Sequence, residues 1–140
     1  MRAKLLTALL GASQAHGRRC RQAFQAENLS DGQPKVLSIL LETGEILQKE
    51  LAVRCGVEPA TMTHLLKKMA QDGLIEKRAT HVSGGKRAFF IMLTPYGREK
   101  GRRAVQIVDE AEEISFEGFT DAEREALVGL LMKITRNLSQ

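Results

Sequence analysis

The sequence is poor in the residues that hold disulfide-rich, metal-bound and membrane-spanning proteins together. Its 140 residues include only two cysteines, Cys20 and Cys55, which lie far apart and in no Cys-x-x-Cys pattern, so they predict neither a disulfide framework nor a zinc site. No apolar run approaches the roughly 18 residues of a membrane span. Because Gln14 and Arg18 interrupt the leucine-containing start before any signal-peptide cleavage site, we interpret it as part of a mature helix. We therefore expect a cytoplasmic protein that folds around a hydrophobic core without a cofactor or a metal.

Motifs of the common enzyme classes are also missing. The chain contains no nucleophile elbow, phosphate-binding loop or zinc-protease motif, and the adjacent acids Glu112 and Glu113 fall on a predicted exposed helix face. We therefore expect a protein that is not an enzyme. The formal net charge is +4, with the positive charge in the N-terminal arm and the middle and a net acidic C-terminal third. This balance permits a nucleic-acid partner without establishing one.

The first half of the chain shows the three- and four-residue spacing of amphipathic helices. This spacing predicts a first helix over residues 2–27 and a second over 34–42. Two short helices follow over 48–54 and 59–71, joined by a tight link in which Gly56 suits a sharp helix exit. The second of them carries an apolar stripe that we expect to face inward: Met62, Leu65, Leu66 and Met69. The short link between these two helices is typical of a helix-turn-helix.

The second half changes from strands back to helices. Residues 74–79 and 88–94 alternate as two strands of a hairpin, which we call the wing, joined by a basic, glycine-containing tip over residues 80–87. Thr94 and Pro95 suit the start of a long helix that reaches about residue 117, and a capping box at Thr120 opens a last helix. That last helix is predicted to bury one stripe: Leu127, Leu130, Leu131, Ile134 and Leu138.

The order of these elements and several short motifs resemble the MarR family of transcription regulators. The motifs occur in the family's order and spacing: Gln48 to Ala52, Gly56 and Val57, Thr61 to Met69, Asp72 to Arg78, then Lys86 and Arg87 leading to Leu93, Thr94 and Gly97. The resemblance implies a mainly α fold with a small β-hairpin wing, that is, a winged helix-turn-helix flanked by terminal dimerisation helices. It implies one domain over 1–140, with a DNA-binding lobe at about 34–94 and dimerisation helices at about 1–30 and 95–140.

The same resemblance supplies the expected function and partners. It implies a ligand-responsive homodimeric repressor that binds a palindromic site in double-stranded DNA, with a small-molecule effector between the dimer helices and the DNA-binding lobe. The apolar stripes of the first and last two helices also favour a homodimer, because too little of the same chain remains to cover them.

The candidate DNA-binding residues lie on the second short helix, here called the recognition helix, at the start of the helix before it, and at the wing tip. They are Gln48, Ala60, Thr61, Thr63, His64, Lys67, Lys68, Lys86 and Arg87. Small and hydroxylated residues allow close approach to a major groove, and a wing arginine suits the negative minor groove. The alternatives are a solvated helix face and an ordinary polar turn.

Three positions depart from the family pattern. Leu47 and Glu58 stand where the two helices of the helix-turn-helix usually have a capping side chain, and Gly85 replaces an acid that often orients the wing arginine. We therefore expect Arg87 to be less fixed before DNA binds. These departures leave open a second hypothesis, in which a dimer of the same fold acts by protein contact or small-molecule binding with a weakened DNA surface.

His16 and Cys20 support a third hypothesis. They are four residues apart on one helix face, which is a spacing of metal ligands, so a metal or thiol sensor is an alternative. Both also fall on the apolar stripe of the first helix, where cysteine behaves as a small hydrophobic residue. The peroxide-sensing branch of the family has its reactive cysteine nearer Leu6, which favours a packing role for Cys20.

Overall fold

The computed structural model describes residues 4–140. Within them, six helices and three short strands follow one another: α1 Leu5–Ala26, α2 Gln33–Thr43, β1 Ile46–Leu47, α3 Gln48–Cys55, α4 Pro59–Gln71, β2 Ile75–His81, β3 Arg87–Leu93, α5 Pro95–Ser115 and α6 Asp121–Leu138. The predicted mainly α fold with a small β wing is confirmed. Residues 2 and 3, predicted to begin the first helix, lie outside the described residues.

The sheet has one strand more than the sequence predicted. Its order is β1-β3-β2, and all pairs are antiparallel. The hairpin of β2 and β3 forms the wing, with His81 opposite Arg87 at its outer end. The added strand β1 has only two residues, too few to show an alternating pattern, and it covers the free edge of β3 through the pairs Ile46 with Ile91 and Leu47 with Phe90.

The core lies between α2, α3, α4 and the inner face of the sheet. Its fully buried hydrophobic side chains are Val36, Leu37, Leu40, Leu51, Met62, Leu66, Met69 and Ile91. Complete burial of a side chain of this size contributes about 1.5–3 kcal/mol relative to exposure. The predicted inward stripe of α4 is confirmed, because Met62, Leu66 and Met69 are buried and Leu65 is half-buried. The stripe fixes α4 to the core with its opposite face outward.

The start of α5 is attached directly to the base of the wing. The Thr94 hydroxyl donates to the Gly73 carbonyl at 2.6 Å and accepts from the Gly97 backbone N–H at 2.9 Å. A Cβ atom placed on Gly97 would stand 1.9 Å from the carbonyl oxygen of Leu74, so only glycine allows this backbone approach. The long helix and the wing base are therefore held together by backbone contacts.

The apolar stripe of α6 is exposed in the single chain, as expected if too little of the same chain remains to cover it. None of the residues of α6 is buried, and Leu130 and Leu131 are 60% and 39% exposed. The N-terminal half of α1 is similar, with Leu6 72% exposed. Both helices are amphipathic. Among residues 4–140, no helix is both long enough and apolar enough to cross a bilayer. These stripes remain available to cover one another in an assembly of more than one chain.

Candidate nucleic-acid interface

The outward ridge of α4 is exposed along the whole helix. Ala60, His64, Lys67 and Gln71 follow one another at spacings of four, three and four, opposite the buried Met62 stripe. Thr61 is also exposed and lies on the flank of the ridge. Four of the predicted contacts, Ala60, Thr61, His64 and Lys67, are therefore presented together on a helix that the core holds firmly.

Thr63 and Gln48 bind each other across the two helices of the helix-turn-helix. The Gln48 side-chain amide donates to the Thr63 hydroxyl at 3.1 Å, and that hydroxyl donates to the Pro59 carbonyl at 3.0 Å. A threonine hydroxyl has one donor and two acceptor positions, so Thr63 keeps one lone pair and its methyl group for another partner. Gln48 is half-buried, and its side-chain carbonyl oxygen is buried without a hydrogen-bond donor among the described residues. The pair joins α3 to α4 at the surface of the helix-turn-helix.

Lys68 is placed apart from the ridge, although it was predicted to bind DNA with the others. Its ammonium group lies 3.2 Å from Asp72, which also accepts a hydrogen bond from the buried Gln33 side chain at 3.3 Å. Gln33 in turn accepts from the Ser30 backbone N–H at 3.0 Å. This network ties the end of α4 to the start of α2, and the Asp72 carboxylate offsets the charge of Lys68.

The wing carries basic side chains on both faces of its hairpin. Lys86 is exposed at the tip, and the Arg87 guanidinium lies 5.2 Å from the ring centroid of Phe89. The Lys77 ammonium lies 5.6 Å from the same centroid. On the other face, Arg78 stacks on Phe90 at 4.9 Å and forms an ion pair with Glu45. Arg87 thus has an aromatic neighbour in the protomer, where the sequence predicted a less fixed side chain.

The geometry of the turn at the wing tip explains why Gly85 stands at the position where the family often has an acid. Gly84 and Gly85 have φ angles of 85° and 74°, a left-handed region that other residues enter only with strain. The Val82 carbonyl accepts from the Gly85 backbone N–H at 3.0 Å and closes the turn. The backbone geometry of this hairpin therefore favours glycine over an acid at position 85.

A large cleft lies between α1, α2, α5 and the end of α4. It has a volume of about 1380 Å³ and is lined mainly by apolar atoms. Its walls include side chains from α1, α2, α4 and α5: Cys20, Arg21, Phe24, Lys35, Ile39, Lys68, Tyr96, Lys100 and Val108. Because Lys68 and Asp72 both line it, the cleft reaches the C-terminal end of the recognition helix.

A buttress of ion pairs at Glu27 forms part of the cleft wall. The Glu27 carboxylate accepts hydrogen bonds from Arg103 at 2.9 Å and Lys100 at 3.0 Å, and Lys100 also donates to the Glu27 carbonyl at 2.9 Å. Hydrogen bonds from Arg103 and then Lys100 hold the pKa of this carboxyl below its ordinary value of 4.5. The buttress fixes the end of α1 to the middle of α5.

The two cysteines lie in different parts of the fold. Cys20 is buried at the cleft wall while His16 is exposed, and Cys55 is buried in the core, where burial raises the pKa of its thiol. A thiol becomes reactive as its thiolate, so this shift disfavours reaction at Cys55. Among residues 4–140 no group of three or more His, Cys, Asp and Glu side chains is placed to hold a metal ion.

Sequence reasoning missed Lys77, Phe89 and the Glu27 buttress. The alternation of β2 and β3 contained the signal for the first two, because residues 77, 87 and 89 share one face once the register is known. The buttress joins positions more than seventy residues apart, which no local pattern connects.

Comparison with known proteins identifies the family. A family model described as the MarR family matches residues 29–83, from the loop before α2 to the wing tip. The HTH-type transcriptional repressor YetL of Bacillus subtilis is 32% identical over 120 residues, which cover 83% of this chain and 70% of that protein. This similarity includes most of the helices outside the matched model as well.

Solved structures show the same fold. A putative MarR family regulator from Listeria monocytogenes, complexed with a 26mer DNA, has a TM-score of 0.79 at 22% identity and covers 98% of this chain and 90% of its own. BpsR of Bordetella bronchiseptica, whose DNA binding is described as regulated by 6-hydroxynicotinic acid, has a TM-score of 0.75 at 25% identity and covers 94% of this chain and 99% of its own. From its fold, its motifs and its similarity to YetL, the chain belongs to the MarR family of transcription regulators.

Proposed function

We propose that this protein is a homodimeric repressor that binds a palindromic operator in double-stranded DNA. The observation that carries the proposal is the common anchoring of two exposed polar elements, the α4 ridge with Lys67 and the basic wing, to a single core. A helix with this ridge fits a major groove, and a cationic hairpin fits the adjacent minor groove. YetL, which is named as a repressor, supports the direction of regulation.

The ridge and the adjoining Thr61 present side chains suited to base edges and side chains suited to phosphates. His64 and Thr61 can offer directional hydrogen bonds, whereas Lys67 acts as a point charge. Glu58 at the start of α4 caps nothing with its side chain and carries a negative charge that suits the helix dipole but repels phosphate. We infer that specificity comes mainly from the middle of α4, and that affinity comes from Lys67 and the wing.

The exposed stripes of α1 and α6 support the dimer. A homodimer with twofold symmetry would pair the same apolar surfaces from two copies and place two recognition helices on one face. In this arrangement residues 34–94 form the DNA-binding lobe of a single domain, and the helices within 1–30 and 95–140 form the dimerisation part. Half-sites of a palindrome lie about one helical turn apart, or a multiple of it, so the spacing of the two lobes decides whether both can bind.

The cleft supports regulation by a small molecule. Its apolar lining suits an aromatic ring, while Arg21 and Lys35 provide positive charge that no carboxylate among residues 4–140 neutralises within ion-pair distance. The hydroxylated aromatic acid named for BpsR has both features. We infer that a small aromatic acid binds here, and that its contacts with α1, α5 and the end of α4 change the spacing of the lobes.

Direct binding to DNA tests the proposal. Fluorescence anisotropy with a labelled duplex of mixed sequence, about 30 base pairs long, should show binding at low salt, with log K falling linearly as log salt rises. Selection of bound fragments from a genomic library should then enrich a palindrome. Failure to bind any duplex at low salt would overturn the repressor function and favour the protein-contact alternative.

A further inference from the structure

One aromatic ring in the wing lies beside two cations. The β-sheet register places Ala79 directly opposite Phe89, with Lys77 diagonal to it across the ladder and Arg87 two residues before it on the same strand. All these side chains therefore share one face of the hairpin. The small side chain of Ala79 leaves space over the ring, and both cations lie within the range of cation–π contact, Arg87 at 5.2 Å and Lys77 at 5.6 Å from the ring centroid.

The ring is anchored while the cations are exposed. Phe89 is half-buried and packs against the hydrophobic core, and on the same face of the sheet Ile91 and Leu93 are buried. Lys77 and Arg87 are both exposed. The ring thus extends the core outward, and two long, flexible side chains pack against it. The negative face of the ring also offsets part of the repulsion between the two like charges.

The opposite face of the same hairpin is arranged differently. There Arg78 stacks on Phe90, but it is also neutralised by Glu45, the residue before β1. In the described residues no carboxylate forms an ion pair with Lys77 or Arg87. Only the Phe89 face therefore has two stacked cations available for an anionic partner.

We propose that Phe89 is a positioning residue that preorganises Arg87 and Lys77 for DNA, and that Lys77 is a DNA contact beyond the tip. The inference rests on the proposed DNA-binding function. The ring orients Arg87, as an acid at position 85 would do in other members of the family, but it leaves the positive charge of Arg87 intact. Ordering a long basic side chain before binding removes an entropy cost from association.

Five single variants and two combined variants test the inference against the labelled mixed-sequence duplex used above. Phe89→Leu keeps an apolar side chain but removes the ring, Phe89→Tyr keeps the ring, and Phe90→Leu makes the matched change on the other face. Lys77→Ala and Arg87→Ala remove the cations singly. A double variant lacks both cations, and a triple variant adds Phe89→Leu to that double variant. Thermal unfolding of each variant confirms that binding is measured on folded protein.

Phe89→Leu should weaken binding about two- to fivefold for each cation that loses its stacking, with the salt slope unchanged because both charges remain on the chain. Lys77→Ala, which leaves the core intact, should lower the slope by about one phosphate. Phe89→Tyr and Phe90→Leu should bind like the original protein. With both cations removed, Phe89→Leu should have no further effect.

The inference is wrong if Phe89→Leu binds as tightly as the original protein, or if it weakens binding equally when both cations are absent. If the salt dependence of binding is unchanged in Lys77→Ala, Lys77 does not contact DNA. This test holds even if Phe89→Leu does not fold. These failures leave the DNA-binding function intact as long as Arg87→Ala weakens binding. Absence of any binding by the original protein overturns the function and this inference together.

Discussion

The proposed dimer interface can be tested by placing one charge in the exposed stripe of α6. Leu131 lies in the middle of that stripe and is 39% exposed in the protomer, so about two-fifths of its surface remains to be buried by a second chain. Full burial of a leucine contributes about 1.5–3 kcal/mol, so the part still to be gained is roughly 0.6–1.2 kcal/mol per chain. A symmetric dimer contains this contribution twice.

Leu131→Glu adds a larger penalty to that loss. Protonating a glutamate with an ordinary pKa of about 4.3–4.5 at pH 7 costs roughly 3.4–3.7 kcal/mol of free energy, and leaving it charged in an apolar contact costs more. Even if partial hydration halves this penalty, two copies together with the lost burial weaken the dimer by about 5 kcal/mol. The dissociation constant should therefore rise by more than three orders of magnitude.

Sedimentation velocity over a wide range of protein concentrations measures this change. Leu131→Glu should sediment as a monomer, or be insoluble where the remaining stripe is exposed. The matched control is Lys133→Glu, which places the same carboxylate on the opposite side of α6 and should remain dimeric. A soluble Leu131→Glu protein that is fully dimeric at all concentrations would refute the proposed interface.

Two further predictions concern the wing and the Glu27 buttress. Arg87→Ala should lower the affinity for any duplex and reduce the salt slope by about one phosphate, and titrations at several salt concentrations check this; an unchanged slope would exclude the wing from the DNA contact. Glu27→Gln should lower the thermal unfolding midpoint at pH 7, because the amide cannot replace the carboxylate between Arg103 and Lys100. The folded-state pKa of Glu27 lies below its ordinary value of 4.5, so the stabilisation is present above that value and is lost as the pH falls through the folded pKa. The difference between Glu27→Gln and the original protein should therefore shrink in acid, and a difference that stays constant would contradict the ion-pair explanation.

Elements with strong local patterns could be predicted from the sequence. The recognition helix was predicted at residues 59–71 and is observed at Pro59–Gln71, because proline fixes its first turn and the Met62 stripe fixes its period. The capping box at Thr120 is also confirmed, with both of its reciprocal hydrogen bonds formed. In these places the signal and the structure involve the same few neighbouring residues.

Features that depend on distant parts of the chain could not be predicted. Strand β1 is defined only by its pairing with the edge of β3, and its two residues are too few to show a period of their own. Periodicity shows which face of α6 is apolar but not which chain covers it, so the burial predicted for this stripe stays a prediction that depends on a second chain. The link of Asp72 to Gln33 comes from the packing of α4 on α2, whereas the pairing of Lys68 with Asp72 is a local contact between residues four apart. DNA binding by Lys68 stays a prediction.

The candidate site was predicted in its elements but not in its detail. Exposure of Ala60, Thr61, His64 and Lys67 follows from the inward stripe of α4, so sequence periodicity was sufficient. The link between Gln48 and Thr63 depends on the angle between two helices, which the spacing of the helix-turn-helix does not specify. The contact of Arg87 with Phe89 depends on side-chain packing at the end of a hairpin.

The central claim, that the α4 ridge reads DNA, is tested most directly by changing Thr61, His64 and Lys67 together to alanine. All three side chains are exposed, so the change opens no cavity, and circular dichroism and sedimentation should show a folded protein in the same oligomeric state. A side chain that reads a base edge contributes about 1–3 kcal/mol of discrimination, so the triple variant should lose most of its preference for the selected operator over mixed-sequence duplex. A folded triple variant that keeps both its affinity and its sequence preference would contradict the claim.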